Sequence, residues 1–277
     1  MPSLKNRTIF ISGASRGIGR EIALRCARDG ANLVIAAKTV EPNAKLEGTI
    51  HQTAEAVEAA GGRALAIQLD VREESQVRDA LEKAAAHFGG IDAVVNNAGA
   101  IGLTNLEMTP PKKFDLMMGI NARAVYLMSH YALPYLKKSP NAHVLSLSPP
   151  LNLSSRWLKP YIPYTLSKYG MTLLSMGLAE ELRDQKIAVN TLWPRTLIAT
   201  AAVEFSVGGR DLFKVARKPD IMADAAYEIL RTEGLALTGR SLIDEQILRE
   251  RGVTDFTPYA WDPAMADRLG VDLYVDD

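Results

Sequence analysis

Short apolar runs alternate with longer segments of helical period along most of the chain. RTIFIS, NLVIAA, ALAIQLDV, AVVNN, HVLSLS, IAVNTL and RSLID read as seven strands. Most are unbroken apolar runs rather than apolar–polar alternations, as expected of strands covered on both faces. Between them, residues 17–29, 49–60, 73–88, 112–137, 164–183 and 220–231 read as helices. Strand and helix alternate through short joints that contain glycine. That order predicts an α/β fold, a doubly wound parallel sheet of about seven strands with helices on both faces. One domain is expected over residues 1–277, with a tail from about residue 250.

Two segments are longer than this plan requires. TVEPNAKLEGT, residues 39–49, is a polar loop after the second strand, and residues 196–219 follow the sixth strand and contain Gly208 and Gly209. Loops at the carboxyl ends of parallel strands border the ligand crevice, so both are candidate rims or lids. The tail carries several aromatic residues and an acidic bias, and it can pack on the body or on a neighbouring subunit.

Composition narrows the class without fixing the chemistry. The 277 residues are 47% hydrophobic and 23% charged, enough to bury a large core. Thirty-two Lys plus Arg balance thirty-two Asp plus Glu, which argues against a nucleic-acid partner and a polybasic membrane anchor. The one cysteine, Cys26, falls within a predicted helix; it permits no internal disulfide and suits a reducing compartment. No apolar stretch approaches the ~18 residues of a membrane span. MPSLKNRTIFISG reads as the approach to a first strand and not as a secretory leader. A cytoplasmic location is expected, and no metal.

ISGASRGIG follows the first strand and opens a helix, with Gly13, Gly17 and Gly19 in a G-x-x-x-G-x-G pattern. Glycine admits positive φ and lets the backbone approach a pyrophosphate, and the helix N-terminus offers N–H groups and partial positive charge. A bare strand-to-helix joint can use the same glycines. The position after the first strand of an alternating chain favours a dinucleotide turn. The second strand ends Ala36-Ala37-Lys38, without the acid that would bond a ribose 2′-hydroxyl. Lys38 and Arg16 are cations available to a 2′-phosphate, each such contact contributing ~1.5–3 kcal/mol. The balance favours NADP(H); the alternative is that both cations are merely solvated.

Tyr164 and Lys168 lie four apart on a predicted helix and share a face. A phenol has a pKa near ~10, and a neighbouring ammonium stabilises its phenolate. Tyr164 can then act as general acid in reduction and general base in oxidation.

SGASRGIG, LDV at residues 69–71, NNAG at residues 96–99, Asn121 in MGINARAVY, and YTLSK at residues 164–168 stand in a telling order. With these landmarks, over residues 6–244, the chain resembles the one-domain branch of the short-chain dehydrogenase/reductase family. The resemblance implies a Rossmann-type fold and assigns to the cofactor Gly13, Ser15, Arg16, Gly17, Ile18, Gly19 and Lys38. It gives Asp70 to the adenine amino group and Val71 to the ring's flank. Asn97, with Ala98 and Gly99, falls beside the cofactor at the fourth strand. Pro194, Thr196, Leu197 and Ile198 fall near the nicotinamide carboxamide, with Thr200 as a further hydroxyl. Lys168 would also bond the nicotinamide ribose, and Asn121 would hold a water beside Lys168 in a proton relay. AAKTVEPNAKLEGTI, SPPLNL and ADAAYEIL narrow the likeness to one subgroup, some members of which carry a sterol-carrier-like domain after the reductase. The chain ends before any such domain, so no lipid-carrier function is expected.

The chain departs from the family in three places. The family's serine at the end of the fifth strand, which bonds the substrate oxygen, aligns with Pro149. Ser148, one residue earlier, is the preferred replacement, although strand alternation sets neighbours on opposite faces and Pro149 forces extended geometry. Asn152, Ser154 and Ser155 are the alternatives, or no hydroxyl serves. Arg195 replaces the glycine of a Pro-Gly pair, either to bind an acidic substrate group or simply exposed. IDEQ, residues 243–246, stands where Asp-Gly-Gly is frequent.

The expected activity is NADP(H)-dependent hydride transfer between nicotinamide and a small carbonyl or alcohol substrate, lipid-like ones included. The catalytic set is Tyr164, Lys168, Asn121 and Ser148. An enoyl reductase, or an NADP-binding sensor or scaffold with little turnover, are the alternatives. A homodimer or homotetramer is expected, through the helices at 112–137 and 164–183.

Overall fold

A computed structural model describes residues 3–42 and 46–276. Its strands are β1 (Thr8–Ser12), β2 (Asn32–Ala37), β3 (Arg63–Gln68), β4 (Ala93–Asn96), β5 (Ala142–Leu147), β6 (Ile187–Trp193) and β7 (Ser241–Ile243). They form one sheet in the order β3-β2-β1-β4-β5-β6-β7, every neighbouring pair parallel. The unbroken apolar runs are explained by two cores. In β1, Ile9 and Ile11 pack into a core on one face, and Phe10 packs into a second core on the other. β2 follows suit, with Leu33 and Ile35 on the first side and Val34 and Ala36 on the second.

The helices are α1 (Gly17–Ala27), α2 (Ile50–Ala59), α3 (Glu74–Phe88), α4 (Pro111–Met118), α5 (Ala124–Leu136), α6 (Ser155–Leu158), α7 (Ile162–Glu181), α8 (Ala201–Ser206), α9 (Asp220–Leu230) and α10 (Asp244–Glu250). α1 packs with α9 beneath the sheet's first core, and α3 with α5 beneath the second. The helix expected over 112–137 is interrupted. α4 passes into α5 through a π-helical turn at Gly119–Arg123, which carries Asn121 into the interior. Such turns insert one residue into a helix and recur at functional sites.

The order reverses between β1 and β4, and the loops after the strands open at that edge. The loop at 39–49 docks there. Its residues 43–45 lie outside the described residues, but its end is fixed: Thr49 and Gln52 form a reciprocal capping box on α2, and Gly48 packs against the Ser15 carbonyl. α5 and α7 present exposed apolar side chains, Tyr126 on one and Ile162, Leu166, Leu173 and Met176 in a stripe on the other. Among the described residues no helix is long and apolar enough to cross a membrane.

The tail packs on the body. Ala260 bridges Arg217, Val271 bridges Thr196 in antiparallel sense, and the Asp272 N–H donates to the Arg195 carbonyl at 3.0 Å. Tyr274 then enters the interior at 1% exposure, its ring 5.3–6.4 Å from those of Trp157, Tyr161, Tyr164, Tyr169 and Trp193. Its hydroxyl lies 3.0 Å from Thr165 Oγ1. Tyr274 has φ +69°, a left-handed backbone uncommon for a bulky residue, which persists only where the surroundings over-determine it. Asp276 finishes the anchor by accepting from Asn152 Nδ2 at 2.8 Å. We expect Tyr274→Ala to lose about 3 kcal/mol of stability by leaving a ring-sized cavity, read as the shift of a urea unfolding midpoint; a loss under about 1 kcal/mol would mean that the tail is only loosely docked.

Candidate active site

A cavity of about 590 Å³ runs along the carboxyl edge of the sheet. One end is the glycine turn. Gly13 has φ +69°, and a Cβ there would lie 2.8 Å from Ala98 Cα. A Cβ on Gly19 would collide with Asn97 Nδ2. That amide donates to the Ser12 and Gly13 carbonyls at 2.9 and 3.0 Å, so Asn97 ties the end of β4 to the turn after β1. No side chain caps α1, whose first N–H groups face the turn; α2 nearby has its capping box. The uncapped helix start, with its partial positive charge, suits a phosphate.

The walls beyond the turn carry most of the residues that the sequence singled out. Ser15, Arg16, Gly17, Ile18, Lys38, Asp70, Val71, Asn97, Ala98, Gly99, Tyr164, Lys168, Pro194, Leu197, Ile198 and Thr200 all line the cavity with Gly13. Four expected residues do not: Gly19, which instead lets α1 approach Asn97, and Thr196, Asn121 and Ser148. Thr196 is buried behind the wall, paired through its backbone with Val271. Asn121 grips the loop after β4, its Oδ1 accepting from the Ala100 N–H at 2.9 Å and its Nδ2 donating to the Ala100 carbonyl at 3.0 Å. Nδ2 also donates to Ser167 Oγ at 2.8 Å.

Ser148 corrects the reading that made it the substrate's partner. Its hydroxyl donates to the Lys168 carbonyl at 2.8 Å and lies 2.5 Å from Thr172 Oγ1. The cause is strand alternation. The Ser148 N–H still donates to the Leu192 carbonyl at 3.1 Å, so the extended course of β5 continues past its last residue. Leu147 therefore faces the cavity, and Ser148 points into α7. Asn152, Ser154 and Ser155 are also outside the cavity. Asn152 exchanges backbone bonds with the Tyr169 hydroxyl at 3.0 and 2.6 Å.

Burial governs the electrostatics of Tyr164 and Lys168. Burial first, then the charges of Tyr274, Asp272 and Tyr161, push the Tyr164 phenol well above its ordinary value. Burial pulls the Lys168 ammonium down to about 7, opposed by Asp272. The expected depression of the phenol by Lys168 is not present in this arrangement. Lys168 Nζ instead donates to the Leu147 carbonyl at 2.6 Å and lies 5.0 Å from the centre of the Trp193 ring. Tyr164 is held as a neutral acid.

At the adenosine end, Arg16 donates to the Glu47 and Gly48 carbonyls, each at 2.8 Å, and so binds the loop to the glycine turn. Lys38, with its side chain 63% exposed, pairs with Asp70 at 3.1 Å. Asp70 also accepts from Arg72 at 2.6 Å, and Arg72 foremost holds its carboxyl far below the usual range. Arg195 and the IDEQ segment are tied together, and the Arg195 side chain stays partly exposed. The Arg195 N–H donates to the buried Asp244 at 2.9 Å, and Glu245 pairs with Arg217 at 2.7 Å.

Sequence reasoning missed the tail's share. Asp272 and Leu273 line the cavity together with Ile101, Leu147, Trp193 and Phe205, and Trp193 Nε1 donates to the Leu273 carbonyl at 2.8 Å. The tail's aromatic residues and its acidic bias were the available signals, and nothing in their spacing names a target.

A parallel sheet of this order, a glycine turn at its switch point and a Tyr–Lys pair across the cavity define a nucleotide-dependent oxidoreductase of the Rossmann type. The chain belongs to the short chain dehydrogenase family, whose model matches residues 7–206. It is 56% identical over 256 residues to hydroxysteroid dehydrogenase-like protein 2 of Xenopus laevis, covering 92% of this chain and 61% of that one. It therefore spans about three-fifths of that relative's length. A solved structure from Xanthomonas campestris is 48% identical, with TM-score 0.95 over 99% of this chain and 100% of the other. A short chain dehydrogenase from Mycobacterium thermoresistibile is 50% identical, with TM-score 0.93 over 99% and 97%.

With its hydroxyl bonded inside α7, Ser148 should matter for stability and not for the cavity. Ser148→Ala should cost about 1 kcal/mol in chemical unfolding and leave nicotinamide cofactor affinity within about twofold by fluorescence titration, a change well under the 1.4 kcal/mol that a tenfold loss represents.

Proposed function

We propose that the chain is an NADP(H)-dependent oxidoreductase acting on small carbonyl or alcohol substrates, with Tyr164 as the acid and base. The observation that carries this reading is the convergence of Tyr164, Lys168 and the Gly13 turn on one cavity. The residues present fit a dinucleotide. A Gly13 side chain would fill the turn, α1 leaves its start without a side-chain cap, and Asn97 holds the two strand ends in place.

When bound, a reduced nicotinamide supplies hydride to the carbonyl carbon. The chain's own groups do the rest. Gly13, Ser15, Gly17 and Ile18, with the start of α1, would hold the pyrophosphate. Asp70 and Val71 would border the adenine, and Pro194, Leu197 and Ile198 the nicotinamide. Tyr164, neutral through burial, delivers its proton to the substrate oxygen. Lys168 stands to recover that charge: a phenolate formed at Tyr164 draws the ammonium toward it, and the ribose hydroxyls would take over the bond now made to Leu147. Asn121 acts at one remove, by fixing Ala100 and the loop after β4. Ile101, Leu147, Trp193 and Leu273 make the substrate end apolar, which fits hydrophobic, lipid-like carbonyls.

The preference for a 2′-phosphate rests on Lys38. Arg16 spends two guanidinium donors on the loop, so Lys38 is the more exposed cation at that end.

Tyr164→Phe should lower NADPH-dependent turnover of a ketone, 3-oxoacyl thioester and steroid panel at least ~10²–10⁴-fold, the usual contribution of a positioned acid. NADPH affinity should hold, and full activity in the variant would sink the mechanism. Lys38→Asp should weaken NADPH binding about tenfold, the lower end of a lost charge-assisted contact. NADH affinity should stay level or improve in a parallel fluorescence titration; unchanged affinity for both would remove the NADP(H) preference.

A further inference from the structure

The substrate end of the cavity holds two titratable side chains that the family pattern explains, Tyr164 and Lys168, and one that it does not, Asp272. Asp272 lies outside the family match and reaches the cavity only because the tail turns inward there. Its position is fixed from three sides. Its N–H donates to the Arg195 carbonyl at 3.0 Å, its Oδ1 accepts from the Leu273 N–H at 2.6 Å, and the next two residues are held by Trp193 Nε1 and by the rings around Tyr274. Among the described residues no donor meets Oδ2. The walls nearby are apolar: Ile101, Leu147, Trp193 and Leu273. Meanwhile the hydroxyl that would assist the substrate oxygen has gone, since Ser148 is bonded into α7. A substrate oxygen beside Tyr164 therefore lacks a second donor from β5 or from the loop after it.

Building on the carbonyl-reductase reading above, we propose that Asp272 is a further catalytic residue, a neutral carboxylic acid whose Oδ2–H donates to the substrate oxygen in place of the missing serine. The step balances without consuming Asp272. Hydride adds to the carbonyl carbon, the C=O π pair moves to oxygen, and the Tyr164 proton completes the hydroxyl. Asp272 keeps its own proton and stabilises the charge growing on oxygen, as an oxyanion-hole donor does.

The surroundings favour the neutral acid. Burial raises the Asp272 carboxyl to about 7; the Leu273 N–H on Oδ1 and the charge of Lys168 of α7 oppose that rise, and the charge of Asp244 at the start of α10 adds to it. Tyr164 and Tyr161, from α7 and just before it, and Tyr274 of the tail are the other titratable groups facing it. Below about pH 7 the acid is protonated and donates; above, it is a carboxylate that repels the developing negative charge. Reduction should therefore fall as pH rises through about 7. Lys168 titrates in the same region, so the limb alone does not identify its owner.

Two variants separate them. Asp272→Ala removes the donor and should lower kcat for carbonyl reduction about 10²–10³-fold, with KM and NADPH affinity within about threefold. Asp272→Asn keeps the shape, the acceptor for Leu273 and an N–H donor. It should stay within about tenfold of the parent and lose the limb near pH 7. Near-parental kcat in Asp272→Ala, or an unchanged limb in Asp272→Asn, overturns the proposal. Failure of the underlying reading looks different: no carbonyl on the panel turns over, and Tyr164→Phe equals the parent. Infrared titration of the resting protein then decides Asp272 by itself. A carboxyl band that disappears near pH 7 and is missing in Asp272→Asn supports a neutral donor, and its absence in the parent overturns it.

Discussion

Because all seven strands run parallel, every loop that follows a strand opens at the same edge of the sheet. The rest of the architecture follows from that constraint. Helices must return each strand to its start, so they cover both faces and dry out the strands between them. The polar groups left for chemistry collect at the carboxyl edge, where the order reverses between β1 and β4. Asn97 keeps that reversal narrow. One amide bonds the end of β1 and the first carbonyl of the glycine turn, and the absence of a Cβ at Gly19 lets it sit there.

Dryness also sets the proton chemistry. An ammonium as buried as that of Lys168 loses hydration that a single carbonyl and the Trp193 ring replace only in part. The neutral forms of Lys168, Tyr164 and Asp272 are all favoured by the same cause. Three side chains that would be two ions and a phenol in water become, at the bottom of this cavity, groups exchanging few net charges. Such a ground state would suit the carbonyl reduction proposed above, because the proposed acid would already be protonated and charge would appear only as the reaction proceeds.

Much of this was legible in the chain. The apolar runs gave the sheet because two-faced burial leaves no room for alternation, and Ile9, Phe10 and Ile11 show both faces within three residues. The Gly13 turn and the Tyr164–Lys168 pair were legible because local backbone geometry and helix spacing dictate them. Other features were set by contacts distant in sequence. The bonds of Asn121 to Ala100, set by a π turn, have no signature in the spacing. Ser148 looked adequate by type; only the continued pairing of its N–H with Leu192 shows that its side chain has the wrong parity. Lys38 and Arg16 read as unoccupied cations, yet Asp70 and the loop after β2 engage them first.

The tail marks the limit of local reasoning and changes what the site is. The family match ends at Ser206, so it covers the glycine turn and the Tyr–Lys pair but not the wall that faces them. That wall is made by Asp272 and Leu273, held in place by Tyr274 in a left-handed backbone conformation. Strain of about 1–3 kcal/mol at such a residue persists only against a larger gain. Here the gain is the burial of one ring among five others, two of them on α7. The contacts that stabilise the tail are thus the contacts that aim its carboxyl. A change that loosens Tyr274 should disturb the fold and the cavity together, whereas Asp272 itself can be altered with little cost to packing. The glycine turn and the Tyr–Lys pair fall inside the family match, and the wall across the cavity is closed by Asp272 and Leu273 of the tail.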